Sequence, residues 1–383
     1  MKQRLISIIM SATLLALIAT ACSSLTPTPR PPTAEEITFK SGPFTVVGDL
    51  RTPGGPGPYP VVLFVHGSDP VDRTASGIYL PTMERMLQAG YATFAWDKPG
   101  TGESTGRLDY QHLQAQRAQI LLDAIELIKA HPGIDPGQIG LWGASQAGYV
   151  MPRALARSKD VAFMICVSCP GMSSYDQMAF QVTALALCDE LPEKKADQKT
   201  HLLADLDKAR TYETYEEYLH YREVLAGLAE LTSAPIQEWP ILSEEAWRKS
   251  DPDAEPLWNP LEVIEQSTMP ILAIFGDRDR QMDPLQGAHA YRQALQGTGN
   301  ARSRVAVFQA NHGIAVSETG CPAENQQMFE EYMKSLGYGS ISEAQEAVRK
   351  DPYKPGLIRD PPFAPGYLDL IENWLKDLYA DGQ

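Results

Sequence analysis

Ten consecutive residues decide the fold: Ile139-Gly140-Leu141-Trp142-Gly143-Ala144-Ser145-Gln146-Ala147-Gly148. The first four residues predict a short buried strand, and residues 146–157 predict a helix. The turn between them contains small residues, because a sharp strand-to-helix turn forces the backbone at Ser145 into a strained conformation. Such a turn lifts the serine hydroxyl above the carboxyl edge of a sheet. It also places the N–H of Gln146 at a helix N-terminus, where negative charge is stabilised.

Strands and helices alternate on both sides of this turn. Apolar runs predict further strands at residues 61–65, 91–96, 161–167, 271–275 and 305–308. Amphipathic patterns predict helices at residues 80–88, 109–130, 284–295 and 367–378. A hairpin is predicted before them, from residues 37–40 and 44–50 around Ser41-Gly42-Pro43. The alternation predicts an α/β fold with a mostly parallel central sheet flanked by helices on both faces.

Two segments interrupt the alternation. Residues 173–258 are helical in pattern throughout, and we expect them to form a helical cap over Ser145, inserted after the sixth strand. Residues 318–365 form a polar, irregular insertion with one predicted helix at 341–348. The core of the fold is then expected in residues 37–172 and 259–383.

Composition limits the function. Lys and Arg total 33 against 48 Asp and Glu, a net charge of -15, and a field of that sign repels phosphate backbones. Nucleic acid is therefore not an expected partner. With 43% hydrophobic residues the chain is expected to be globular. No Cys/His cluster has zinc-ligand spacing, and we expect neither a metal nor an organic cofactor.

The N-terminus is predicted to be a targeting segment. Lys2 and Arg4 precede an apolar stretch over residues 5–18, which ends in Ala19-Thr20-Ala21-Cys22. This resembles a bacterial lipoprotein signal, in which residues 1–21 are removed and Cys22 is lipidated. The alternative is a secretory signal cut after Ala21. Either predicts an exported protein, facing the periplasm or the exterior, and the lipid would anchor it to the membrane through a Pro-rich tether at residues 22–36.

Polar residues follow three other predicted strands. His66-Gly67-Ser68 follows the strand at 61–65, Gly276-Asp277-Arg278-Asp279 the strand at 271–275, and Asn311-His312-Gly313 the last strand. Since carboxyl ends of parallel strands share one sheet edge, these groups are expected near Ser145. The N–H of Ser68 can then bind an oxyanion, and His312 can act as a base. His66 is expected to shape its loop.

The order of serine, acid and histidine resembles that of the α/β-hydrolase superfamily. Residues 64–73 and 97–104 are similar to its serine-hydrolase branch of bacterial esterases, with their dienelactone-hydrolase-like and acyl-peptidase-like relatives. The resemblance covers about residues 60–172, 268–315 and the last helix, but not the cap or the insertion. Ala147 stands where the branch usually has glycine.

That resemblance implies a serine hydrolase that cleaves small-molecule carboxylic esters through an acyl-enzyme. Ser145 would be the nucleophile, His312 the base and Asp279 the acid that orients it, with oxyanion donors at Ser68 and Gln146. Asp279 is preferred because Asp283 precedes Pro284 as a helix N-cap and because Asp277 directly follows Gly276 in a turn. The resemblance also implies Gly-x-x-Asp as the usual spacing for this acid.

Two other functions stay open. One is an exported peptidase or amidase of the same fold, for which cap carboxylates such as Glu216, Glu217 and Glu223 would hold the substrate amine. The other is a non-catalytic binding protein on the same scaffold. The oligomeric state is not indicated by the sequence.

The cysteines give two expectations. Cys166 and Cys169 lie on one predicted strand, where a separation of three residues is about 10 Å, so both are expected to be unpaired buried thiols. Cys188 in the cap and Cys321 in the insertion are expected to form a disulfide.

Overall fold

The computed structural model describes residues 32–109, 112–188, 193–209, 214–231, 241, 243–248, 258–351, 353–354 and 361–378. Within them, eight strands form one sheet in the order β1-β2-β4-β3-β5-β6-β7-β8. The pairs β1/β2 and β2/β4 are antiparallel and the remaining pairs are parallel. The strands are β1 Thr33–Ser41, β2 Phe44–Thr52, β3 Tyr59–Val65, β4 Ala92–Trp96, β5 Ile134–Ala144, β6 Phe163–Val167, β7 Ile271–Gly276 and β8 Arg304–Phe308.

Helices lie between the strands and after the last one. Their bounds are α1 Leu80–Gln88, α2 Leu113–Lys129, α3 Ala147–Leu155, α4 Ser174–Ala186, α5 Glu193–Ala209, α6 Tyr215–Leu231, α7 Glu244–Arg248, α8 Leu261–Ile264, α9 Pro284–Thr298, α10 Pro322–Ser335, α11 Ile341–Lys350 and α12 Tyr367–Asp377. Among these helices, none is long and apolar enough to cross a membrane.

The sheet is covered on both faces, as the alternation predicts. One apolar cluster packs α2, α3 and α9 against the sheet, with Ile125 and Val150 fully buried. The other packs α1 and α12 against the opposite face, through Met86 and Trp374. Strands β4, β6 and β7 are buried along their whole length, which explains their uninterrupted apolar runs.

The hairpin and the alternating elements agree with the sequence-based prediction, with shifted ends. Strand β1 begins at Thr33, so residues 33–36 pair with β2 and are not part of the tether. These four residues are exposed, which hides the alternation that would have marked them as strand. Strand β5 begins at Ile134, before the predicted start at Ile139.

The described part of the insertion between β6 and β7 is helical, as expected. Helices α4 and α6 form a separate apolar cluster that includes Val182, Tyr218 and Leu225. Gln177 on α4 joins this unit to the loop after β7: its Nε2 donates to the carbonyl of Gln281 at 2.7 Å, and its Oε1 accepts from the N–H of Asp283 at 3.3 Å. The helical unit therefore begins beside the loop that carries Asp279.

The insertion after β8 has one helix more than predicted. Helix α11 corresponds to the predicted helix at 341–348, whereas α10 was not anticipated. The large apolar side chains of α10 are confined to residues 328–333, where Met333 is buried, so the apolar pattern is too short to predict the whole helix. The predicted disulfide between Cys188 and Cys321 is confirmed, and it joins the residues after α4 to the start of α10.

The expectation of unpaired thiols at Cys166 and Cys169 is wrong, because these residues form a disulfide. Strand β6 ends at Val167, and Ser168 has a left-handed φ of 49°. The chain therefore turns between the two cysteines and brings their Cα atoms to 5.8 Å.

Candidate active site

Ser145 lies on a strained turn between β5 and α3. Its φ is 58°, a left-handed value that is unfavourable for a residue with a Cβ. Its N–H donates to the carbonyl of Val167 on β6 at 2.9 Å, and its own carbonyl accepts from the N–H of Gly148 at 2.9 Å. The turn is therefore held by the neighbouring strand and by the first turn of the helix.

Glycine is required on both sides of this turn. A Cβ at Gly143 would lie 2.7 Å from the Cβ of Ala147, and one at Gly148 would lie 2.6 Å from the Cβ of Cys169. Ala147 itself is fully buried. The space at position 147 therefore admits an alanine in place of the usual glycine. Cys169, which forms a disulfide, packs against the start of α3 at Gly148.

His312 and Asp279 are brought together from the loops after β8 and β7. The Nδ1 atom of His312 lies 2.7 Å from Oδ2 of Asp279. Asp279 is 3% exposed, and its Oδ1 accepts the N–H groups of Gln281 at 2.7 Å and Met282 at 2.9 Å. The carboxylate is thus stabilised by its own loop on one oxygen and by the imidazole on the other.

The surroundings raise the pKa of His312 above its ordinary value of 6.5. Burial alone lowers this pKa, but the charge and hydrogen bond of Asp279, together with the charge of Asp69, outweigh it. The site therefore favours the protonated imidazole that forms when a base accepts a proton.

The other two aspartates of this loop have different partners. Asp283 caps α9, where its Oδ1 accepts the N–H groups of Leu285 at 3.1 Å and Gln286 at 3.0 Å. Asp277 accepts the N–H of Ala310 at 3.3 Å. The capping role predicted for Asp283 is confirmed, and Asp279 is the aspartate of the three that pairs with His312.

The loop of His312 is held by hydrogen bonds that the sequence does not predict. Oδ1 of Asn311 accepts the N–H groups of Gly313 and Ala315, both at 3.0 Å. Ser168, fully buried after β6, donates to the carbonyl of His312 at 2.9 Å. A polar residue at the end of an apolar run is a signal that could have indicated Ser168.

The segment after β3 lies against the Ser145 turn. A Cβ at Gly67 would lie 3.4 Å from the Cβ of Ser145, which is van der Waals contact. Ser68 is the next residue, and Gln146, the N-cap residue of α3, directly follows Ser145. The backbones of Ser68 and Gln146 therefore both lie near Ser145. We call residues 66–69 the oxyanion loop, after the role that the sequence leads us to expect of Ser68.

His66 is a buried part of the oxyanion loop. Its ring stacks on Tyr79 with centroids 5.5 Å apart, and its Nε2 contacts the carbonyl of Trp96. Burial, with the nearby charge of Lys98, lowers the pKa of His66 to about 3. The ring is therefore neutral near pH 7 and shapes the loop, in agreement with the sequence-based expectation.

Two buried cations contact the oxyanion loop, and neither was predicted. Nζ of Lys98 donates to the carbonyls of Gly67, Ser68 and Asp69 at 2.6, 2.9 and 2.5 Å. Arg117 on α2 donates to the carbonyl of His66 and to Oε1 of Gln146. A charged residue two positions after the buried β4 was the available signal for Lys98.

The cap carboxylates lie on the surface. Glu216, Glu217 and Glu223 are exposed on α6, and Glu217 accepts the N–H of Thr214 at 2.9 Å as part of an N-terminal capping arrangement. Within the described part of the chain, no group of three or more His, Cys, Asp or Glu side chains is disposed to hold a metal ion. Cys22 lies outside the described residues.

The chain is similar to known proteins in sequence and in fold. Residues 62–324 match the model of the alpha/beta hydrolase family. The chain is 30% identical over 141 residues to "Thiohydrolase aneE" of Aspergillus aculeatus, covering 36% of this chain and 43% of that protein. It is 28% identical over 152 residues to "20-hydroxy-prefusarin hydrolase FUS2" of Gibberella moniliformis, covering 36% of this chain and 34% of that protein. The chain thus spans less than half the length of these curated relatives.

Solved structures with a similar fold include the Pyrococcus furiosus esterase Pf2001, at 18% identity and a TM-score of 0.48, covering 79% of this chain and 90% of the esterase. The 2,6-dihydroxy-pseudo-oxynicotine hydrolase is 15% identical with a TM-score of 0.45, covering 87% of this chain and 72% of that chain.

Proposed function

Because the chain belongs to the alpha/beta hydrolase family, we propose that it is a serine hydrolase that cleaves carboxylic esters through an acyl-enzyme. The contact that carries the proposal is the 2.7 Å pair of His312 and buried Asp279, at the sheet edge where Ser145 lies on its strained turn. A histidine oriented by a carboxylate is the arrangement that activates a serine hydroxyl.

In the proposed mechanism Ser145 Oγ attacks the ester carbonyl carbon as its proton passes to Nε2 of His312. Asp279 keeps the Nδ1 proton of His312 in place and stabilises the imidazolium. The negative oxygen is bound by the N–H groups of Ser68 and Gln146. The imidazolium then protonates the departing alcohol. In the second half of the reaction a water loses a proton to His312 and attacks the acyl-enzyme carbonyl. The imidazolium returns this proton to Ser145 Oγ as the bond between Oγ and the acyl carbon breaks, which releases the acid and regenerates Ser145.

The substrate proposed is a small ester admitted beside the helical unit after β6. The Aspergillus aculeatus relative is named as a thiohydrolase, so a thioester belongs in the substrate panel. An exported peptidase or amidase would use the same residues. The exposed positions of Glu216 and Glu223 offer no particular support for amine binding.

The test is a panel of chromogenic short-chain esters, thioesters, anilides and aminoacyl amides with the wild type and Ser145→Ala. We expect ester hydrolysis and one fluorophosphonate label per chain, at Ser145, and loss of both in the variant. A preference for the amides would replace esterase by amidase. Absence of both turnover and label in the folded wild type would favour a binding protein.

We also propose that the protein is exported and anchored through a lipid on Cys22. The two disulfides support an oxidising location, because such bonds are rare in the cytosol. Metabolic labelling with an alkyne fatty acid tests the anchor: the wild type should be labelled and Cys22→Ser should not. A processed but unlabelled wild type would indicate a secreted protein.

A further inference from the structure

We propose that Lys98 is a positioning residue, which orients the peptide group between Gly67 and Ser68 so that the N–H of Ser68 faces the reacting carbonyl. The inference rests on the proposed serine-hydrolase function and adds to it the buried group that builds half of the oxyanion site. Its basis is the set of hydrogen bonds beneath the oxyanion loop.

Lys98 is 5% exposed, so its ammonium is removed from water. Its Nζ donates to three consecutive carbonyl oxygens, those of Gly67, Ser68 and Asp69. An ammonium group has three N–H donors, which matches these three acceptors. A buried charge is costly unless its environment compensates it, and these three carbonyl groups contribute to that compensation.

The geometry of the peptide bond links these contacts to the direction in which the N–H of Ser68 points. In a trans peptide the C=O and N–H groups point in opposite directions from one rigid plane. Among the residues that the structure describes, the cis peptide bond is Gly57-Pro58 and the others are trans. The bond between Gly67 and Ser68 is therefore trans. When Lys98 holds the carbonyl of Gly67 on its own side, the N–H of Ser68 is turned to the opposite side.

The alternative orientation would work against the reaction. If the peptide between Gly67 and Ser68 rotated by about half a turn, the carbonyl oxygen of Gly67 would replace the N–H of Ser68 at the site. A partial negative charge would then face the developing oxyanion and destabilise it, whereas a preorganised donor lowers the barrier. The rotation would break the hydrogen bond between Lys98 and the carbonyl of Gly67, so this bond opposes the rotation.

The rest of the loop is fixed by other residues. Arg117 donates to the carbonyl of His66, and the backbone of Gly67 forms a hydrogen bond with the side chain of Tyr79. Arg117 also donates to the side chain of Gln146, whose N–H is the other proposed oxyanion donor. The guanidinium of Arg117 therefore contacts both the oxyanion loop and Gln146, whereas Lys98 contacts the peptide groups beside Ser68.

The experiment measures kcat, KM and the inhibition constant of an aryl boronic acid, which mimics the tetrahedral state, in wild type and Lys98→Met. We expect kcat to fall about 10–100-fold with KM within about threefold, since one misoriented donor is lost. The boronic acid should bind more weakly by a similar factor, because it uses the same N–H groups. A structural role alone would lower the unfolding temperature without this parallel loss.

The matched control is Arg51→Met. Arg51 is also 5% exposed, and it contacts Glu84 and the ring of Tyr353 rather than the oxyanion loop. We expect its kcat to stay within about threefold of wild type. If Lys98→Met does not fold, Lys98→Gln supplies the test, because the glutamine amide can donate to some of the carbonyls of Gly67, Ser68 and Asp69. In this variant kcat and the affinity for the boronic acid should fall together, by a smaller factor than in Lys98→Met.

A folded Lys98→Met or Lys98→Gln with wild-type kcat would overturn the proposal, as would a fall in kcat without any loss of boronic acid affinity. Ser145→Ala separates this failure from failure of the enzyme assignment. If wild type is active and Ser145→Ala is not, the function stands and the role of Lys98 alone is rejected. If wild type neither turns over esters nor takes the fluorophosphonate, the underlying function is rejected first.

Discussion

The hydroxyl of Ser168 donates a hydrogen bond to the backbone carbonyl of His312, at 2.9 Å. The residue before it, Val167, accepts the N–H of Ser145 at 2.9 Å, and the N–H of Ser168 donates to the carbonyl of Ile274 on β7 at 2.7 Å. Two consecutive residues at the end of β6 therefore contact both the proposed nucleophile's turn and the proposed base's loop.

We predict that Ser168→Ala lowers kcat about 10-fold, because a small displacement of His312 relative to Ser145 is costly for proton transfer. Initial-rate kinetics on a chromogenic ester measure the effect, and KM should change little. Ser104→Ala is the control: Ser104 is also buried, but its hydroxyl accepts the N–H of Val47, in the amino-terminal hairpin. Equal kcat values for the two variants would contradict the positioning role of Ser168.

We predict that Asp279→Asn keeps the fold and lowers kcat by about 10²–10⁴. The two N–H groups of Gln281 and Met282 would hold the amide oxygen, which turns the NH₂ group toward Nδ1 of His312. The imidazole would then carry its proton on Nε2 and could not accept one from Ser145. Kinetics and a thermal unfolding curve check both statements.

Asp283→Asn is the matched control for this acid, because asparagine caps a helix about as well as aspartate. We expect its kcat and unfolding temperature to stay near those of the wild type. An active Asp279→Asn beside an inactive Asp283→Asn or Asp277→Asn would show that a different carboxylate serves His312.

We predict that kcat/KM rises with pH along a limb whose midpoint lies above 6.5. The raised pKa of His312 means that more than half of the imidazole is protonated at pH 6.5, and the protonated ring cannot act as a base. Asp69→Asn removes one of the charges that raise this pKa, so its limb should move to lower pH. The exposed Glu262→Gln on α8 should leave the limb in place. A limb that moves to higher pH in Asp69→Asn would refute this electrostatic account.

We predict that the double variant Cys188→Ser/Cys321→Ser is less stable than the wild type by about 2–4 kcal/mol, because the bond restricts the unfolded chain. The two cysteines are 133 residues apart in the sequence, so the loop that they close is long. Urea unfolding without reductant measures the difference.

An independent count of thiols in the denatured, unreduced protein should find none at the four paired cysteines, and labelling of Cys166 or Cys188 would contradict the pairing.

The sequence predicted three of the polar residues that follow buried strands, whereas Ser168 after β6 and Lys98 after β4 were not anticipated. Ser145 directly follows β5, Asp279 lies three residues after β7 and His312 lies four residues after β8. Local pattern and the shared edge of parallel strands were therefore sufficient to expect them at one edge of the sheet. The N-cap at Asp283 is also a local feature, because its acceptors are two and three residues away.

Contacts between distant parts of the chain could not be predicted in the same way. Lys98 reaches Gly67 across 31 residues and Ser168 reaches His312 across 144, and no periodicity encodes such pairs. The disulfide of Cys166 and Cys169 was missed for a local reason. Its geometry depends on the left-handed Ser168, a conformation that the sequence gives no reason to expect for a serine after a strand.

The disulfide between Cys188 and Cys321 makes one covalent ring of all the residues between them. Asp279 and His312 lie inside this ring, whereas Ser145 lies outside it. A single proteolytic cut anywhere between the two cysteines would therefore produce two polypeptides that remain attached to each other. Such a nicked molecule would migrate as two fragments only after reduction, and the fragment carrying Ser145 would stay linked to the rest of the site.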